Sequence, residues 1–69
     1  MRTRQEIISA LSPIMRASYR TLMESACKLK GIVVWSTGSG YEDLELIYPD
    51  DLLNEAYMQN RVILFDGRR

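Results

Sequence analysis

Apolar side chains at Ile7, Leu11, Ile14, Met15, Leu22, Ala26 and Leu29 stand in steps of three, four or their sums. That spacing lays one stripe along one helical face. The pattern predicts a helix over residues 4–30. Thr3-Arg4-Gln5-Glu6 reads as a capping box at its start, with Thr3 as the N-cap. Lys28 and Lys30 suit the negative end of the helix dipole. Gly31 is expected to take the left-handed conformation that ends the helix. Pro13 interrupts the pattern, because inside a helix it deletes a hydrogen bond and clashes with the preceding turn, at a cost of about 3 kcal/mol. Either Ser12 caps a second helix with Pro13 as its first residue, or one helix curves around its core with Pro13 on the solvent side. At about 100° per residue Pro13 falls opposite the stripe, which favours a single curved or kinked helix.

Beyond Gly31 the period changes. Residues 32–36, IVVWS, are β-branched and aromatic, and predict a strand. Residues 41–48, YEDLELIY, alternate in part, with Leu44, Leu46 and Tyr48 on one side and Asp43, Glu45 and Ile47 on the other. Pro49 stops that strand, and Pro49-Asp50-Asp51 resembles a helix start. A helix over residues 50–60 would bury Leu52, Leu53, Ala56 and Tyr57. Residues 61–65, RVILF, predict a third strand, and residues 66–69 a frayed tail.

The expectation is therefore one α+β domain spanning residues 1–69, in the order αββαβ. Strand 1 is the most apolar and should be central; strand 2 is the most acidic and should be an edge. Strand 3 should lie antiparallel to strand 1, giving sheet order 2-1-3 with two helices packed on one face. Order and size suit small accessory proteins of many kinds, those of mobile elements among them, and a fold alone fixes no function.

Ser36-Thr37-Gly38-Ser39-Gly40 invites comparison with a phosphate-binding loop. Such a loop needs a lysine and a following helix, whereas this one has no lysine and leads into an acidic strand. The hairpin reading has a mechanism. A two-residue turn with glycine at its first central position places Gly38-Ser39 at the tip, so that Val33 faces Leu44 and Trp35 faces Glu42. Val33, Trp35, Leu44 and Leu46 then receive the helices. Ile32, Val34 and Ile47, with half of strand 3, are left on the other side. A one-residue slip would invert these faces.

Composition turns that leftover face into a functional expectation. A chain of 69 residues buries only about 60% of its unfolded surface. Domains this small often lean on disulfides, metals or partner subunits. Cys27 is the only cysteine and histidine is absent, so neither an internal disulfide nor a common zinc set can form. A second chain is the remaining aid, and monomers seldom expose large apolar patches. The leading expectation is a non-enzymatic protein–protein interaction module, self-associating (a homodimer) or inhibitory. It would use the uncovered sheet side and the free edge of strand 3, with Ile32, Val34, Ile47, Ile63 and Phe65 as contact residues. Tyr41, beside the turn, is a candidate surface anchor, and Trp35 is read as core.

Charge supplies the alternative. Net charge is zero, but residues 1–30 hold six basic and two acidic side chains, and residues 31–69 three basic and seven acidic. Arg16, Arg20 and Lys28 fall on one side of the predicted helix, and a small nucleic-acid-binding regulator could use them against phosphate. Glu24 breaks that stripe, and no helix-turn-helix or RNA-binding motif is legible. Catalysis is not expected, since the common general base is missing. The acids at residues 42–43 and 50–51 have structural explanations in strand alternation and the helix dipole. No cofactor, metal or small-molecule substrate is called for. No signal peptide is read at the N-terminus and no apolar run nears a membrane span, so the expected setting is the reducing cytoplasm.

Overall fold

Two capping serine or threonine side chains, not one, organise the N-terminal half. The computed structural model describes the backbone of residues 2–38, 40–53 and 58–68 and, Tyr41, Leu52 and Leu53 excepted, their side chains. Thr3 Oγ1 accepts a hydrogen bond from the Glu6 amide at 3.2 Å and starts α1, Arg4–Ala10. Leu11 then turns extended, with φ −63° and ψ 133°. Ser12 Oγ accepts from the Met15 amide at 3.2 Å, and Pro13 opens α2, Pro13–Leu29, as its first residue. The single curved helix is thus overturned. Proline at a first helical position loses no hydrogen bond and brings a preset φ, so a break there costs less than a kink inside a helix.

The break resets the helical phase. Met15, Tyr19, Leu22, Met23 and Ala26 of α2 face the core, at three- and four-residue spacing. Ile14, one residue off that stripe, is 80% exposed, and Leu29 at the far end is half exposed. The helix ends on Lys30, which takes the left-handed conformation at φ 57°. Gly31, expected there, is needed for another reason. A Cβ on Gly31 would stand 2.6 Å from the Ile47 carbonyl oxygen, so only glycine lets β2 approach this closely.

Three strands follow: β1, Ile32–Gly38; β2, Tyr41–Ile47; and β3, Arg61–Asp66. They form one antiparallel sheet in the order β2-β1-β3, as the pattern predicts. The domain is α+β, with α1 and α2 packed on one face. Both helices come from the N-terminal segment. Where a helix over residues 50–60 was expected, the described part is a short 3-10 helix, Pro49–Leu53, and a turn at residues 58–60; Ala56 and Tyr57 lie outside the described residues. The C-terminal tail is better held than expected through residue 68. Asp66 belongs to β3, the buried Gly67 donates its amide to the Gly31 carbonyl at 2.9 Å, and Arg68 pairs with Asp66 at 2.7 Å.

The hairpin register differs from expectation by two residues. Gly38 pairs with Tyr41, so the connection is Ser39-Gly40, with Gly40 at φ 75°. Val33 meets Leu46 and Trp35 meets Leu44, where the other register would have set Trp35 against Glu42. Matching apolar with apolar across the strands explains the choice. Because the shift is two residues, every side chain keeps its predicted face.

Two clusters result, one on each face. Val33, Trp35 and Leu44 join Ile7, Tyr19, Ala26 and Leu64 under the helices. On the other face Ile32, Val34 and Ile47 are completely buried, with Met58 packed against them. Here the expectation of an uncovered apolar face fails: Met58 comes from the segment between β2 and β3, expected as a helix on the opposite side.

Candidate interaction surface

The six residues expected to meet a partner do not form one surface. Ile32, Val34 and Ile47 have no exposed area within the single chain, so contact with a partner would first require opening their cluster. Tyr41 opens β2, and its side chain lies outside the described residues. Ile63 and Phe65 were expected on the same side, as alternate residues of a regular strand. A β-bulge separates them. Ile63 pairs with Val34 and Phe65 with Val33, so Leu64 is the extra residue and the two side chains fall on opposite faces. Phe65 packs under the helices, while Ile63 remains 38% exposed.

The bulge also gives Leu64 a special role. Its side chain is buried in the helix-side core, and its carbonyl accepts a hydrogen bond from the Tyr19 hydroxyl at 3.1 Å. Burial raises the Tyr19 pKa above its ordinary 10.0, and the nearby Arg4 charge acts in the opposite sense. Tyr19 therefore ties α2 to the outermost strand on this side. A groove of about 560 Å³ runs along that strand, lined by Arg4, Gln5, Ile8 and Tyr19 from the helices and by Ile63 to Asp66 from β3. Among the described residues β3 is bonded to β1 alone, and its other side carries no strand. Apolar residues 62–65 stand between Arg61 and Asp66 at its ends.

The other edge differs in kind. β2 presents Glu42, Asp43 and Glu45 in a seven-residue strand with no basic side chain. Glu42 lies 3.5 Å from Arg2, whose guanidinium stands over the Trp35 ring at 5.8 Å. Glu45 reaches across β1 to Arg61 at 2.9 Å. That pair borders a polar hollow of about 290 Å³, lined also by Ser36, Thr37, Asp43, Gln59 and Asn60. Sequence reasoning missed this hollow, because its residues converge only once the register is set. In its lining, Asn60 takes a left-handed φ of 62° and its carbonyl accepts from the Thr37 amide at 3.3 Å. Asparagine tolerates that conformation better than most residues, which was the available signal.

The basic residues fare unequally. The Arg16 guanidinium donates to the Ile8 carbonyl at 3.2 Å, closing the end of α1. Arg20 and Lys28 are exposed on α2 with Glu24 between them. Cys27 is exposed, and no group of three His, Cys, Asp or Glu side chains able to hold a metal occurs among the described residues. No helix among them is long and apolar enough to cross a membrane. No protein-family model, curated protein or solved structure matches this chain.

Proposed function

We propose that the chain is a small, non-enzymatic protein–protein interaction module of the cytoplasm that receives an extended segment of its partner along the outer edge of β3. The observation that carries this reading is the edge itself: a strand with one neighbour among the described residues, apolar in its middle, and bordered by a groove against α1. An added strand gains main-chain hydrogen bonds from such an edge and specificity from alternate side chains. Partner binding through the Ile32, Val34 and Ile47 face is no longer part of the reading, because those side chains are already covered. The nucleic-acid alternative keeps Arg20 and Lys28 exposed on α2, while Arg16 is engaged by the Ile8 carbonyl.

Site-specific photo-crosslinking in the native host tests the proposal. A benzophenone side chain at position 63, on β3, is expected to trap a protein, and one at position 42, on β2, to trap none. Nuclease treatment should leave the product unchanged. Equal trapping at both positions, no trapping at 63, or a product that disappears with nuclease would each overturn it.

A further inference from the structure

We propose that the partner at the β3 edge is a second copy of this chain, paired antiparallel about a two-fold axis at Ile63. This rests on reading that edge as the interaction surface. Opposite the successive β1 residues Ser36, Trp35, Val34, Val33 and Ile32 stand Arg61, Val62, Ile63, Phe65 and Asp66. The bulge at Leu64 removes one residue from the count. Arg61 lies two residues before Ile63 and Asp66 three after, yet each stands two ladder positions away. Their β1 partners Ser36 and Ile32 also share a face with Val34, since strand side chains alternate. The ladder of β3 is thus symmetric about Ile63, with a cation at one end and an anion at the other, both on the same face.

An antiparallel copy turned about Ile63 sets Arg61 against Asp66 of the other chain, twice over. Val62 meets Phe65, and Ile63 meets its own counterpart. A regular strand would instead have set Arg61 opposite Phe65, leaving both charges unmatched. The bulge is what makes the edge self-complementary. Arg61 already pairs with Glu45, and Asp66 with Arg68. In the dimer the interchain pairs share these groups with their intrachain partners or exchange for them, a guanidinium offering five donors and a carboxylate several lone pairs. The β2 edge has no such property, because antiparallel self-pairing there would bring acids against acids. A six-residue strand makes a small interface, so the dimer belongs to the weak, concentration-dependent class.

Sedimentation equilibrium of the whole chain, up to the order of 1 mM, reads the outcome. The wild-type mass should rise from 8.0 kDa towards twice that value. Arg61→Asp and Asp66→Arg should each weaken dimerisation by about tenfold or more, through two like-charge contacts. Mixing the two variants should restore it, because every interchain contact is again between opposite charges. Restoration requires both chains to be folded, so it separates lost charge matching from lost structure. A wild type that stays monomeric throughout overturns the inference. So do single variants that dimerise like the wild type, or a mixture that gains nothing. Trapping of a different protein at position 63 alongside a monomeric wild type removes only the second copy; no trapping there removes the edge reading as well.

Discussion

The two faces of the sheet are closed by different means. The helix side carries a broad cluster assembled from α1, α2 and all three strands. The other side carries three aliphatic residues, two from β1 and one from β2, with Met58 against them. Exposure does not follow cluster size. Ile32, Val34 and Ile47 are fully buried, whereas Trp35 and Leu44 on the helix side each keep 8% of their surface. The three aliphatic side chains, with Met58 against them, keep no exposed area, while the Trp35 ring under the helices stays partly reachable. An apolar sheet face is therefore poor evidence of a binding surface until its connections have been traced.

The sharpest way to break this comparison is to empty the smaller cluster. Ile47→Ala should destabilise the chain by about 2–5 kcal/mol, the range for large-to-small changes at buried sites. Leu44→Ala, in the larger cluster, should cost no more. For a domain this size total stability is on the order of 3–10 kcal/mol, so Ile47→Ala should be marginally folded. Urea denaturation measures both. A cost for Ile47→Ala below about 1 kcal/mol would mean that its face is open to water.

Tyr19 offers a smaller effect confined to the helix side. Tyr19→Phe removes the hydrogen bond to the Leu64 carbonyl and should cost about 1 kcal/mol. It should also change the response to alkali. Folding raises the Tyr19 pKa above 10.0, so the folded chain holds this proton more tightly than the unfolded one. The contribution to stability is full below about pH 10 and is lost as pH rises through that value towards the raised one. Denaturation at a series of alkaline pH values should show that decline in the wild type and a shallower one in Tyr19→Phe. Identical slopes would place the hydroxyl in water.

Much of this architecture is legible in the residues. Three β-rich segments, their order and their faces follow from alternation and from the acids that mark β2 as an edge. The faces survived an error in the turn because Ser39-Gly40 and Gly38-Ser39 differ by a two-residue shift in pairing. The interaction surface was harder to read. Nothing local marks Leu64 as a bulge, since RVILF reads as a regular strand; only pairing with β1 reveals it. The cover over Ile32, Val34 and Ile47 was missed for a related reason. Met58 packs against them from the segment that the pattern predicts as a helix on the opposite face.

The break at residues 11–12 gives the two finest tests. Ser12→Ala should cost about 1 kcal/mol, because Ser12 caps α2. In one continuous helix the same change would be neutral or stabilising, since alanine is the better helix former. Ile14→Gln should shift stability by less than about 0.5 kcal/mol, as for other surface substitutions. The stripe read from a continuous helix would bury Ile14 and make that change costly; the reset phase leaves it 80% exposed. Both variants are read by the same urea titration. A penalty above about 2 kcal/mol for Ile14→Gln would return this residue to a buried site, and with it the single helix that Pro13 divides.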